Sequence, residues 1–240
     1  MRRGCIKLGR VHVPDGFLDA PTSLATAVGA AAGVGLCLRG ARRELDDRTA
    51  PLAGLVAVFV FAAQMLNFPV GAGTSGHLVG GALAAVLVGP CTATLCLAVV
   101  LLVQAIAFAD GGLTALGTNV TLMGLIGVWT AYAAFRLARA ALPTRLASVP
   151  AAAAFGALVS VPAAALGFVG LYAAGGAAPI PLGPLLATML GWHLMIGLGE
   201  ALITYLAVGS IVATRPDLVH GARRVVATDR PLEIRPGVVA

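Results

Sequence analysis

Four histidines stand at positions 12, 77, 193 and 220 of a 240-residue chain. His12 lies in the run Val11-His12-Val13-Pro14-Asp15-Gly16-Phe17-Leu18, and His77 comes directly after the uncharged stretch Gly71-Ala72-Gly73-Thr74-Ser75-Gly76. An imidazole serves as a proton carrier, a metal ligand or a plain interfacial side chain, so these two need further donors before they define a chemistry. Such donors exist if the chain begins at residue 11. The free amine of that residue, the His12 amide nitrogen and the His12 imidazole then close fused chelate rings on one metal ion, and His77 provides a fourth nitrogen. Four nitrogens in a plane suit Ni(II) or Cu(II), and Co(II) can also be held. With residues 1–10 in place the amine becomes an ordinary amide and the chelate is lost.

Other polar residues admit two readings each. Asp110, beside Gly111 and Gly112, and Asn119 can orient the imidazoles from behind, while Asp-Gly-Gly equally suits a plain turn. Thr74 and Ser75 sit in the glycine-rich stretch before His77, which can act as a gate because glycine permits wide backbone excursions. His193 and Glu200 are seven residues apart on one helical face of an apolar segment. They form an intramembrane polar pair, either functional or tying helices together. The spacing is not H-E-x-x-H, so a metalloprotease has little support. Cys37, Cys91 and Cys96 lie in or beside apolar segments without C-x-x-C or zinc spacing, and read as small packing residues.

The elements that must position these residues are membrane helices. The composition is 59% hydrophobic and 11% charged, with a mean hydropathy of +0.94, against about 25% charged residues in a soluble domain. Seven apolar segments can be marked, at 20–38, 51–68, 77–89, 92–109, 118–137, 150–175 and 184–213. The third is short, because its thirteen residues rise only about 20 Å as a helix against a core of about 30 Å.

Arginine placement orients the chain. With seven spans, the stretches 39–49 and 136–147 and the tail share one side and carry twelve of the sixteen basic residues, whereas 69–76, 110–117 and 176–183 carry none. By the positive-inside rule the expectation is an all-α polytopic membrane protein of about seven transmembrane helices, N-terminus outside and C-terminus cytoplasmic. The formal charge of +6 thus marks topology and gives no reason to invoke nucleic acid. The remaining four bases, Arg2, Arg3, Lys7 and Arg10, then fall on the disfavoured outer side, with no apolar h-region after them. A start at Val11, from a GUG codon read as Met, removes the anomaly. The expected organisation is a mis-assigned leader at 1–10, a metal-binding transmembrane domain at 11–213 and a loose basic cytoplasmic tail at 214–240. In the first span Ala25, Gly29 and Gly33 recur every four residues and allow close helix approach, for internal packing or for a docking face.

The residues from Val11 to Leu18 resemble the M-H-I/V-P-D-G-F-L start of the substrate-binding subunits of cobalt and nickel energy-coupling factor importers, the CbiM/NikM family. Further matches occur in the same order: Gly73-Thr74-Ser75-Gly76-His77-Leu78, Gln104 with Phe108-Ala109-Asp110-Gly111-Gly112-Leu113, Ala115-Leu116-Gly117-Thr118-Asn119, and His193 through Thr204. The resemblance spans about residues 11–215. It implies that Val11 (as initiator Met), His12 and His77 bind the metal. It also implies partners: a transmembrane scaffold subunit, ATP-binding subunits and a small accessory membrane subunit in a bacterial or archaeal membrane. No prosthetic group is expected, since Co2+ or Ni2+ is cargo. The chain has no G-x-x-x-x-G-K-[ST], and its single lysine is Lys7, so ATP hydrolysis belongs to other polypeptides. Two other classes stay open: a stand-alone divalent-metal channel or secondary transporter, and an intramembrane enzyme using His193 and Glu200.

Overall fold

The computed structural model describes residues 12–47, 49–71 and 74–229. In chain order these form α1 (Ala20–Glu44), α2 (Ala50–Gln64), β1 (Asn67–Gly71), β2 (Thr74–His77), α3 (Gly81–Val88), α4 (Pro90–Ala107), α5 (Leu116–Asn119), a π-helical stretch (Val120–Gly127), α6 (Val128–Ala141), α7 (Ser148–Gly175), α8 (Leu182–Thr214), two short 3-10 turns and α9 (Arg223–Asp229). Five helical segments are long and apolar enough to cross a membrane: α1, α4, the continuous stretch Leu116–Ala141, α7 and α8. The protein is a multi-pass membrane protein. Its exposed large apolar residues, such as Leu24, Leu55, Ile106, Leu198 and Leu202, are those expected where hydrocarbon rather than water is the solvent.

Helix starts obey local chemistry. Asp19 caps α1, its Oδ1 accepting the Thr22 N–H at 2.9 Å, with Pro21 in the first turn and Arg42 and Arg43 in the last, complementing the dipole. α4 begins at Pro90, whose missing N–H costs nothing at a first helical position. Its next two N–H groups are satisfied from another helix: Cys91 and Thr92 donate to Glu44 at 3.0 and 2.7 Å.

Two of the sequence boundaries move. The segment marked 51–68 is helical only to Gln64, and the one marked 77–89 only over Gly81–Val88. Between them an antiparallel hairpin pairs Asn67 with His77, Phe68 with Gly76 and Pro69 with Ser75, then shifts register to pair Gly71 with Thr74. Pro69 cannot sustain a helix, and Gly71, Gly73, Gly76 and Gly80 make one expensive here. Gly80 adopts φ 74°, a conformation glycine takes without strain. The all-α expectation therefore describes the bundle but omits this hairpin.

α3 rises only about 12 Å, and all eight of its residues are buried. Gly80 at its start packs on Val60 of α2, and Gly89 at its end packs on Glu44 of α1. It is a short apolar post enclosed by longer helices. Close helix approach relies on small residues: a Cβ at Gly117 would lie 2.3 Å from the Ala27 Cα, and one at Gly156 would lie 2.7 Å from the Ala131 carbonyl oxygen. Of the α1 stripe, Gly33 meets Leu125, whereas Ala25 and Gly29 are exposed. Internal packing explains only one of the three.

The tail also departs from expectation. Up to Ala227 it does not lie loosely: Val219, Ala222 and Val225 are buried, and Gly221 packs on Phe135 and Val86. Arg223 donates to the Glu44 carbonyl oxygen at 2.9 Å, so this segment seals the end of the bundle where α1 ends and α4 starts.

Candidate metal site

At the opposite end the residues before α1 form an arm laid into the bundle. Val13 N–H donates to Asn119 Oδ1 at 3.0 Å, Asn119 Nδ2 returns a bond to the Val13 oxygen at 3.2 Å, and Gly112 N–H donates to that same oxygen at 3.0 Å. Asp15 Oδ1 accepts from the Thr114 N–H and hydroxyl, at 2.8 and 2.6 Å. These donors hold the Asp15 carboxyl below the usual carboxylate range, the Thr114 hydroxyl most of all. Phe17 stacks on Phe168, and Ala177 and Asp19 donate backbone bonds to Phe17 and Gly175. Two of the three stretches free of lysine and arginine, 110–117 and 176–183, thus converge on the arm.

The arm delivers His12 to His77, both side chains buried, with ring centroids 4.7 Å apart and planes inclined at 58°. Each ring is held by a partner that fixes its tautomer. Gln104 Oε1 can only accept, so His12 Nε2 carries a proton and donates at 2.8 Å, leaving Nδ1 with its lone pair. Leu78 O likewise can only accept, so His77 donates from Nδ1 at 2.9 Å and its Nε2 is the basic nitrogen. Burial, and after it the repulsion that protonating both rings would bring with His12 so close, pushes His77 well below its ordinary pKa. The imidazole is therefore neutral at physiological pH, the form that binds a metal.

His12 Nδ1 is the nitrogen that closes a six-membered ring with its own amide nitrogen, so the tautomer Gln104 selects is the one the chelate requires. Side chains alone do not complete a site. Among the described residues no group of three or more His, Cys, Asp or Glu could hold a metal. The resemblance implies backbone nitrogens as the remaining donors, and Val11 lies outside the described residues.

The other candidates divide. Asn119 holds the arm and so acts on His12 from behind. Asp110 is buried in the turn below His12, where Ala109 and Gly111 both take positive φ, and its N–H donates to the Gln104 oxygen at 3.0 Å. Thr74 and Ser75 lie in β2, which leads directly into His77. His193 and Glu200 do not form a pair. His193 Nδ1 donates to Met189 O at 2.7 Å one turn earlier, while Glu200 accepts the Val79 and Gly80 N–H groups at 2.8 and 3.0 Å. A carboxylate so engaged, facing the start of α3, is a helix cap rather than a catalytic base.

Sequence reading missed the roles of the glutamines. Gln64 and Gln104 are the only two in the chain, both are fully buried, and both hold the histidine segments. The signal was there: an amide within an apolar run must find a partner, since burying it unpaired is costly.

Fold and site together define a membrane protein that brings an N-terminal imidazole and a hairpin imidazole together at one end of a helical bundle. Comparison with known proteins matches residues 12–218 to the CbiM family model, described as a cobalt uptake substrate-specific transmembrane region. The chain belongs to the CbiM family. It is similar to the fused nickel transport protein NikMN of Rhodobacter capsulatus, with 34% identity covering 96% of this chain and 70% of that protein. It is also similar to the cobalt transport protein CbiM of Sorangium cellulosum, with 47% identity over 44% of this chain and 48% of that one. A crystal structure of a transition metal transporter superposes with a TM-score of 0.75 at 27% identity, covering 84% of this chain and 92% of the other.

Proposed function

We propose that this chain is the substrate-capture subunit of an ATP-driven cobalt or nickel importer, binding the divalent ion through the amine of residue 11, the His12 amide and Nδ1, and His77 Nε2. The observation that carries the reading is the matched pair of tautomers, set by Gln104 and the Leu78 carbonyl, which turns one basic nitrogen of each ring into a donor. The amine is available only where translation begins at residue 11. The seven-span topology, with the site outside and the arginine-rich end cytoplasmic, is supported by the convergence of two loops lacking basic residues, 110–117 and 176–183, on the arm.

Capture is favoured over conduction by what lies beneath the site. Past Val79 and Gly80 the chain enters α3, whose sequence Gly-Ala-Leu-Ala-Ala-Val-Leu-Val offers no polar side chain to an ion and is buried throughout. A dehydrated divalent cation gains nothing along that route. Release therefore calls for a rearrangement of the whole subunit, driven by a scaffold subunit and ATP-binding subunits, with a small accessory membrane subunit assisting. The exposed Ala25 and Gly29 on α1 suit close contact with a partner helix.

Isothermal titration of the chain produced from residue 11, with Ni2+ and with Co2+, tests the reading. One ion per chain is expected, and binding disappears when the ten preceding residues are retained. Equal binding by both forms would overturn the amine's role. Metal accumulation in cells expressing the chain alone, compared with cells that also hold the scaffold and ATP-binding subunits, separates a capture subunit from a self-sufficient channel.

A further inference from the structure

We infer that Gln64 and Glu200 form a two-sided clamp on the Val79 peptide whose task is to position His77 for the metal; the inference rests on the metal-capture reading above. Gln64 Nε2, at the last residue of α2, donates to the Val79 oxygen at 2.9 Å. Glu200, in the middle of α8, accepts the Val79 N–H at 2.8 Å on Oε2 and the Gly80 N–H at 3.0 Å on Oε1. Both polar groups of one residue are thereby tied to two different helices, and Gln64, Val79 and Glu200 are each at most 4% exposed. The His77 ring is in turn referred to this backbone, because its Nδ1–H bonds to the carbonyl of Leu78, the residue between ligand and clamp.

The arrangement is more than a way to start a helix. Capping of α3 needs acceptors for its first N–H groups, which Glu200 provides. It does not need a donor to the Val79 carbonyl, and an α2 side chain would be free to be apolar there, as Val60 one turn earlier is. The chain places one of its only two glutamines at that point and the other on His12 Nε2. Each imidazole is thus oriented by a buried amide, directly for His12 and through the Val79 peptide for His77. The ring's hydrogen bond runs to Leu78, on the side away from the hairpin and next to the clamped Val79.

Glu44 supplies the control. It caps α4 with the same chemistry as Glu200 caps α3, but at the far end of the bundle from the imidazoles. In the chain produced from residue 11, Gln64→Met, Glu200→Gln and Glu44→Gln would be compared with wild type by Ni2+ titration, by the ligand-field absorption of bound Ni2+, and by thermal unfolding without metal. The expected result is a ten- to hundredfold loss of Ni2+ affinity, the range for residues that orient metal ligands, with a shifted absorption band, in the Gln64 and Glu200 variants. Glu44→Gln lowers unfolding temperature alone. Should Glu200→Gln not fold, Gln64→Met, which leaves the cap intact, carries the test. Wild-type affinity and an unshifted band in Gln64→Met would overturn the clamp while leaving the site standing. Failure of wild type to bind Ni2+ at all would overturn both.

Discussion

Asn119 and Val13 are joined by a reciprocal pair of hydrogen bonds, the backbone N–H donating to Oδ1 and the side-chain Nδ2 donating to the backbone oxygen, so an asparagine at the end of α5 takes the place of a neighbouring β-strand. Through it the residue next to His12 is fixed to the start of the π-helical stretch. Asn119→Ala leaves the half-buried Val13 N–H without its acceptor, at about 1–3 kcal/mol, while the Val13 oxygen keeps the Gly112 N–H. Ni2+ affinity should fall ten- to hundredfold at unchanged stoichiometry, as read by titration. Full affinity in this variant would mean the arm is held elsewhere.

The two histidines of the proposed site give the sharpest expectation. His12→Ala and His77→Ala should each abolish stoichiometric Ni2+ and Co2+ binding while leaving the helical circular dichroism spectrum intact, because neither ring forms part of a helix. Retained one-to-one binding in either purified variant removes that histidine from the site.

Gly112 is a steric gate on the arm. A Cβ there would lie 2.3 Å from both the N and Oδ1 of Asp15, so Gly112→Ala must push the arm outward and break the Asp15–Thr114 bonds. A loss of about 1–3 kcal/mol, typical of overpacking, should accompany weakened metal binding. Gly183→Ala, where nothing lies within 4 Å, should do neither. Thermal unfolding and Ni2+ titration of the two variants check the contrast.

Acid should weaken the metal-free protein through His220. Burial first, then the Arg223 charge, holds this ring below its ordinary 6.5, where it sits beside Tyr132, Arg223 and Glu44. The unfolded chain takes up the proton first. The contribution to stability is therefore complete above about pH 6.5 and is lost as pH falls from there toward the lowered folded value. His220→Gln should flatten the dependence of unfolding temperature on pH between about 7.5 and 5, with His77 accounting for part of the slope that remains, since its shift has the same sign. An unchanged slope would place the titrating group elsewhere.

Much of the bundle was legible because its signals are local. Asp19 with Pro21, Pro51 and Pro90 open helices, and arginines close α1 and α6, at places that apolar run length already marks. His12 and His77 could be paired because topology put both at one end. What escaped depends on partners distant in sequence. Val219 and Ala222 look like interruptions in a basic tail until Phe135 and Val86 are beneath Gly221. Glu200 reads as the partner of His193 seven residues away, and only the approach of Gly80 from another helix turns it into a cap. The π-helical stretch differs from an α-helix in hydrogen-bond register alone, which Val120–Gly127 does not advertise in residue type.

The docking of the C-terminal segment has a practical consequence. With Val219, Ala222 and Val225 embedded in the bundle, the exposed Ala227 is a rigid handle and not the end of a whip. A spin label at Ala227→Cys, in a background with the native cysteines replaced, would follow the attitude of the entire bundle in the bilayer, so a tilt during transport could be measured without touching the end of the molecule proposed to bind the ion.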